Sequence, residues 1–258
     1  MEQLWKQVEP LVRTCGQMLL GRISGEEQVH QKGAADFVTD TDLAVSRALS
    51  EGLLAALPGS GIITEEQPEH TFDYSRDTWV IDPLDGTSNY IFNLRISAVS
   101  VALFREGKPV LGIIYDPYAD EMFHAVRGKG AFLNGSPIHA SAKTRLSEGL
   151  VAFGTSPYYR ELSGVTFQKL QRVFARCIDV RRCGSAALDL AAVACGRTAG
   201  FFEQILSTWD YAAGALLIAE AGGRVSRLDG SALRFDGKEP LVAAGPSVYE
   251  ELLELVAD

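Results

Sequence analysis

The run Thr78-Trp79-Val80-Ile81 ends in Asp82-Pro83-Leu84-Asp85-Gly86-Thr87, and this junction limits what the chain can fold into more than any other stretch. A short apolar run bounded by turn residues reads as a buried strand, and loops at strand ends are where rigid scaffolds present reacting groups. Pro83 fixes its own φ and pushes Asp82 toward extended backbone, so the bend can aim both carboxylates at one point. Two anions held that close repel unless a proton or a cation lies between them. A hard divalent ion such as magnesium, which takes oxygen ligands, suits the place. Taken alone, D-x-x-D-G is equally a turn whose aspartates cap backbone amides.

The rest of the chain supplies layers around this junction. Leu4, Val8, Leu11, Val12, Cys15, Met18 and Leu19 recur at helical spacing and predict an amphipathic helix over the first twenty or so residues. A loop, QKGAADFVTDTD, leads to a second helix from near Thr41 to Leu57, which Pro58-Gly59 stops. GIIT, TWVI, ISAVSVALF, VLGIIY, EMFHAV and GAFLN then read as strands of a mostly antiparallel sheet. After about residue 145 strands and helices alternate: GLVAFG, a helix over residues 164–174, CIDVRR, an Ala-rich helix from Ser185, TAGFF, a helix from Trp209, LVAAG and a short final helix. Such alternation predicts a layered α/β half.

Composition narrows the function classes. A formal net charge of −9 over 258 residues argues against general attraction to nucleic acid or to an anionic membrane surface. Cys15, Cys177, Cys183 and Cys195 show no C-x-x-C spacing and fit a reducing cytoplasm, and the start MEQLWKQVEP lacks the apolar core of a signal peptide or a membrane span. The four histidines have no zinc spacing. GRISG lacks the G-x-S-x-G order, Gly237-Lys238 is followed by Glu239 where a P-loop needs Ser or Thr, and GKGAFLNG has the wrong spacing for a dinucleotide fingerprint.

Two further acidic sites repeat the theme. Glu65-Glu66 ends the strand GIIT, and Asp210 follows Trp209 at the start of a predicted helix. Separately, the pair reads as a solvated loop and Asp210 as a residue stabilising a helix N-terminus. Together with Asp82-Pro83-Leu84-Asp85-Gly86-Thr87, with Trp209-Asp210-Tyr211-Ala212-Ala213-Gly214, and with the landmarks GKGAFLNG and RRCGSAALDL, the chain resembles the inositol monophosphatase family of magnesium-dependent phosphatases. The order and approximate separation of these segments match over nearly the whole length.

The resemblance implies an α/β (α+β) fold, a layered α/β/α/β/α sandwich of the inositol monophosphatase and fructose-1,6-bisphosphatase type. Residues 1–258 would act as one catalytic unit, with 1–145 carrying most metal ligands and 146–258 completing the metal and substrate site. It implies that Glu65, Asp82 and the Leu84 carbonyl hold one Mg2+, that Asp82, Asp85 and Asp210 hold a second, and that a third sits near Glu65. Asp42 and Thr87 would orient and deprotonate the attacking water; from spacing alone Asp40 and Asp42 are equally placed, and either is also a helix cap. Gly86 and Thr87 would offer backbone N–H groups to the phosphate. Glu203, Gly184, Ser185 and Ala186, with Asp85 and Asp210, would contact an inositol ring. Glu66 and Lys32 are further candidates near the metals, Lys32 being equally a solvated surface lysine. The implied reaction is hydrolysis of inositol monophosphate, sensitive to lithium, by a homodimer.

Relatives that act on fructose 1,6-bisphosphate, 3′-phosphoadenosine 5′-phosphate or NADP share the metal motifs and differ in the substrate loops. A phosphatase with an aspartate nucleophile also combines Asp, Gly and Thr, but its D-x-D spacing is not this one. The non-enzymatic alternative is a regulatory protein that binds RNA polymerase or RNA, as some bacterial members do.

Overall fold

The computed structural model describes residues 1–21, 29–33, 36–67 and 71–257, the side chains of 31–33 and 36 excepted. Its first part runs α1 (Glu2–Met18), β1 (Val29–Gly33), β2 (Asp36–Thr39), α2 (Asp40–Ala56), β3 (Gly61–Thr64), β4 (Thr78–Asp85), α3 (Thr87–Ile91), β5 (Ala98–Arg105), β6 (Lys108–Asp116), β7 (Glu121–Val126), β8 (Ala131–Leu133) and β9 (Ser136–Ile138). There follow β10 (Leu150–Phe153), α4 (Ser163–Phe174), β11 (Asp179–Arg181), α5 (Ala186–Ala194), β12 (Gly200–Ser207), α6 (Thr208–Glu220), β13 (Arg224–Ser226), β14 (Lys238–Ala244) and α7 (Tyr249–Val256).

β3 to β9 form a seven-stranded sheet in sequence order, parallel only between β3 and β4. β10 to β14 form a five-stranded sheet ordered β11-β10-β12-β14-β13, in which β10 is parallel to both neighbours. Alternate residues of each strand enter different cores, as the two-residue period of a strand demands. In β4, Trp79 and Ile81 pack with Val8, Val12, Val45 and Leu49 of α1 and α2. Val80 enters the opposite core with Leu190 of α5 and Ala212 and Leu216 of α6, and that core also takes Phe201 and Leu241 from the five-stranded sheet. Phe153, Phe202 and Val242 turn the other way, onto Val173 of α4 and Leu252 of α7. The layers are therefore α, β, α, β, α, with α5 and α6 between the two sheets.

The middle layer is held close by a missing side chain. A Cβ on Gly112 of β6 would lie 2.8 Å from the Ala213 carbonyl oxygen of α6. The structure adds elements that the sequence reading did not name, α3, β9 and β13, and where that reading had a loop over 31–42 it pairs β1 with β2 antiparallel, with an irregularity between Gln31 and Gly33. β1 is mostly polar and the apolar residues of β2, Phe37 and Val38, are adjacent rather than alternating, so no two-residue hydrophobic period marks the pairing. No helix among the described residues is long and apolar enough to cross a membrane.

Because the obstacle at Gly112 is backbone, Gly112→Ala must push α6 off the sheet. We expect a loss of about 1–3 kcal/mol of stability by urea denaturation. An unchanged midpoint would mean that the two layers can separate without cost.

Candidate active site

Asp82 and Asp85 are three residues apart, an odd separation that in a regular strand sends side chains to opposite faces. The pairing with β5 shows how they come to share one. Asp82 pairs with Ser100 and Asp85 with Ala98, so three steps along β4 match two along β5, and the extra residue is a bulge. Ser100 and Ala98 lie on one face of β5; their partners therefore do too. That face is turned to α6, since Ser100 Oγ donates to the Trp209 carbonyl at 3.2 Å. Pro83 sits inside the bulge, where its missing N–H breaks no ladder. The groups the bulge frees are used again: Leu84 N–H donates to Asp82 Oδ1 at 2.9 Å, and the Leu84 carbonyl accepts from Thr87 Oγ at 3.1 Å.

Helix N-termini hold the other carboxylates. Asp210 is the third residue of α6 and accepts from the Ser207 N–H at 2.7 Å, while Asp42 is the third residue of α2 and accepts from the Thr39 N–H at 2.8 Å. Asp85 reaches the start of α5, where Ser185 Oγ and the Ala187 N–H (2.8 Å) both donate to its Oδ2. Helices α6 and α5 thus turn their positive ends toward Asp210 and Asp85, and α2 does the same toward Asp42. Asp42 is 1% exposed and accepts from Thr87 Oγ at 3.4 Å, whereas the Asp40 carboxylate faces His30 Nε2 at the surface, 3.7 Å away. Asp42 is thus both a helix cap and a neighbour of the cleft residue Thr87, and Asp40 is a surface residue.

One oxygen from each of Asp82, Asp85 and Asp210 can be chosen so that all lie within 4.8 Å of one another. They form the floor of a cleft of about 590 Å³, which Glu65, Glu66, Leu84, Gly86, Thr87, Gly184, Ser185, Ala186 and Glu203 also line. Gly86 needs its positive φ of 89°, and a Cβ there would press on the Ile96 carbonyl at 2.9 Å. Asn89 Nδ2 donates to the carbonyls of Ile96 (2.8 Å) and Cys183 (2.9 Å), tying the Gly184 loop to the Gly86 loop. On the far wall β12 carries its own extra residue between Glu203 and Leu206. Ser156 serves that bulge: its hydroxyl exchanges hydrogen bonds with Ile205, and its N–H donates to Glu203 Oε1 at 2.7 Å. Gly154 leaves the space Glu203 occupies, since a Cβ there would meet its carboxylate at 1.9 Å.

Burial opposes charge on these groups. It lifts Asp82 well above the usual carboxylate range, with Glu65, Asp85 and Asp210 adding repulsion, and lifts Asp210 in the same way with repulsion from Glu65 and Asp85. Asp85 is pushed up to about 6 by burial, the hydrogen bonds from Ser185 and Ala187 pulling the other way. Such a cluster stays protonated or takes up positive charge. Three all-oxygen donors this close match a hard divalent ion, whose octahedral ligands stand roughly 3–4 Å apart. The residues fit the ion that the sequence implied.

The sequence profile of the inositol monophosphatase family matches residues 1–258. The chain belongs to the inositol monophosphatase family. An inositol-1-monophosphatase of Mesorhizobium japonicum is 41% identical over 226 residues, covering 88% of this chain and 84% of that one. The Nus factor SuhB of Escherichia coli is 40% identical over 231 residues, 90% of this chain and 86% of its own. The solved structure of the extragenic suppressor protein suhB from Bartonella henselae superposes with a TM-score of 0.92 at 35% identity, covering 98% of each chain. The five-layer fold of this family member is that of its structural relatives.

Most of the residues named from sequence thus meet in one cleft. Asp42 stands behind it through Thr87, and Lys32 lies in β1 with its side chain outside the described residues. Sequence reading placed Ser156 only within a pocket-shaping segment, Gly154–Gln168, and Asp189 only within the landmark RRCGSAALDL, and gave Asn89 no role. It read Asp42 and Asp210 as helix-end residues but did not pair them with Thr39 and Ser207, their partners at capping-box spacing.

The raised carboxyls carry a pH signature. Each binds its proton more tightly folded than unfolded, so this contribution to stability is whole below about pH 4 and is lost as pH rises through the folded values, such as about 6 for Asp85. Metal-free protein should therefore melt at lower temperature at pH 8 than at pH 5, with magnesium reversing the trend. Asp85→Asn should raise the pH 8 midpoint of the metal-free protein. A melting temperature that climbs with pH in chelator would contradict this account.

Proposed function

We propose that the chain is a Mg2+-dependent phosphomonoesterase that hydrolyses inositol monophosphate. The observation that supports this best is the convergence of Asp82, Asp85 and Asp210 in the cleft floor beside Gly86-Thr87. Glu65, Asp82 and the Leu84 carbonyl would hold one ion, and Asp82, Asp85 and Asp210 a second, with room for a third near Glu65. When bound, the ions lower the pKa of an attacking water and neutralise phosphate and leaving-group charge.

The chain's own groups do the rest. Thr87 Oγ lies 3.1 Å from the Leu84 carbonyl and 3.4 Å from Asp42 Oδ1; with its one proton turned from the carbonyl to Asp42, its lone pairs can receive a proton from the water while its own moves to Asp42. The backbone N–H groups of Gly86 and Thr87 face the phosphate, a close approach that a residue without Cβ allows. Gly184, Ser185, Ala186 and Glu203 meet the organic part, and the pinning of Asp85 by Ser185 couples that wall to the metal floor. No covalent phosphoenzyme forms. The entire chain acts as one catalytic unit, since both sheets supply site residues. Four free thiols support a reducing, cytoplasmic setting, and we propose a homodimer there.

The test is phosphate release across inositol 1-phosphate, fructose 1,6-bisphosphate, 3′-phosphoadenosine 5′-phosphate and NADP. We expect inositol 1-phosphate to be preferred, Asp210→Asn to lower kcat at least 100-fold, and millimolar lithium to inhibit. Preference for another member of the panel would replace the substrate, and a stable phosphoaspartate would replace the mechanism.

The name Nus factor carried by relatives 40% identical supports a second reading, a regulatory role through RNA polymerase or RNA. Capture of such a partner from cell extract by Asp210→Asn protein as well as by wild type would establish that role beside the enzyme. Capture by neither would remove it.

A further inference from the structure

We propose that residues 71–77, which lead into β4, are a strap that sets the span between Glu65 and Asp210, with Phe72 and Tyr74 as its positioning residues. Loosening the strap then weakens the hold on Mg2+ and leaves the chemical step alone. The proposal rests on the metal reading of the cleft and concerns two side chains that do not line it.

Glu65 lies close enough to Asp82 and Asp210 to repel both, so without a cation the charge drives its arm outward. The backbone restrains that arm at the end of β3, where the Glu65 N–H donates to the Ile81 carbonyl at 3.3 Å and the Gln67 N–H to the Thr64 carbonyl at 3.1 Å. Farther along the same connection, burial follows the two-residue period of extended chain. Thr71, Asp73 and Ser75 are exposed, while Phe72 and Tyr74 turn inward and pack on the core that contains α6. Phe72 stacks on Trp209, which lines the cleft beside Asp210, with 6.4 Å between ring centroids. Tyr74 stacks on Phe104 of β5 at 4.6 Å, and its hydroxyl donates to the Phe235 carbonyl at 2.6 Å.

The loop that receives this bond is held in place to accept it. Phe235 sits at φ 60°, a left-handed conformation that bulky side chains rarely adopt. Its neighbours are fixed on both sides: the Arg234 N–H donates to Glu239 Oε1 at 3.0 Å, and Gly237 exchanges hydrogen bonds with Thr208 Oγ1, its N–H donating at 3.2 Å and its carbonyl accepting at 2.8 Å. Strain of this kind persists only where the surroundings over-determine it. Thr208 is fully buried and opens α6, two residues before Asp210. Both feet of the strap therefore stand on the start of α6, Phe72 directly and Tyr74 through the loop. They join the Glu65 arm to the helix that carries Asp210, across the seam between the two sheets. Without the Tyr74 hydroxyl the arm samples positions that bind no ion, and apparent affinity falls in proportion to the fraction of molecules that stay competent.

The experiment measures Mg2+ binding by titration calorimetry, kcat for inositol 1-phosphate as a function of Mg2+, and melting without metal, in wild type, Tyr74→Phe, Phe72→Leu and Ser75→Ala. We expect Tyr74→Phe to weaken Mg2+ binding and to raise the half-saturating Mg2+ concentration about threefold or more, inside the factor of roughly two to ten that one net hydrogen bond is worth. Phe72→Leu should move both in the same direction. At saturating Mg2+, kcat should stay within about twofold of wild type, as loss of ion affinity without loss of transition-state contacts requires. Ser75→Ala, on the exposed side of the strap, should bind Mg2+ as wild type does. A lower metal-free melting temperature with Mg2+ binding unchanged in Tyr74→Phe would make the strap structural only and overturn the proposal. A fall of kcat at saturating Mg2+ with affinity unmoved would overturn it as well. If Phe72→Leu does not melt cooperatively, Tyr74→Phe, which keeps the ring, decides alone. Wild type that binds Mg2+ but leaves inositol 1-phosphate intact would refute the substrate reading, and calorimetry would still decide the strap. Wild type that binds no Mg2+ would refute the metal reading and this proposal with it.

Discussion

Three buried carboxylates whose oxygens lie within 4.8 Å of one another cannot all be charged without positive charge between them, and the surrounding structure exists to hold them there regardless. The bulge in β4 turns an odd sequence spacing into a shared face. Pro83 occupies the one place in the strand where a missing N–H does no harm, and Asp82 and Thr87 take up the groups that the bulge releases. The starts of α5 and α6 then supply backbone donors and favourable dipoles to Asp85 and Asp210. These interactions fix direction without neutralising the cluster, which leaves the demand for a cation in place.

The opposite wall repeats the device with other ends in view. β12 also carries one extra residue, and Ser156 satisfies the backbone it frees while orienting Glu203. The cleft thereby has two parts: a floor of crowded carboxylates that suits a cation, and a wall on which Ser156 fixes Glu203. Ser185 belongs to both regions. Its hydroxyl bonds Asp85 at the floor, and its carbonyl receives the N–H of Asp189 on the wall.

Legibility in the sequence followed locality. Asp82, Asp85, Glu65 and Asp210 stand beside apolar runs whose length and pattern mark strand and helix ends, so their chemistry could be read before any fold was known. The five-layer architecture was legible from the switch between a run of strands and an alternation of strands and helices. The β1-β2 hairpin was not, because Val29-His30-Gln31-Lys32-Gly33 offers no apolar face to count. Asp40 and Asp42 could not be separated by spacing; exposure separated them. Asp189 sits inside the landmark RRCGSAALDL, yet in Ala186-Ala187-Leu188-Asp189-Leu190 it looks like one polar residue on an ordinary helix, and only the fold places it on the cleft wall.

The hydrogen bond between Ser185 and Asp85 spans 100 residues of chain. Asp210 lies farther on still, so an ion shared by Asp85 and Asp210 would close a very long loop of polypeptide, and it would do so at the seam between two sheets. Closure of that kind costs configurational entropy only slightly more for a long loop than for a short one, while it restricts far more of the unfolded chain. The cation would then serve the fold as a removable cross-link, fastened last, after both sheets have formed. A polypeptide still leaving the ribosome, with its seven-stranded sheet already complete, would carry Asp82 and Asp85 without their third partner until its final hundred or so residues had folded onto it.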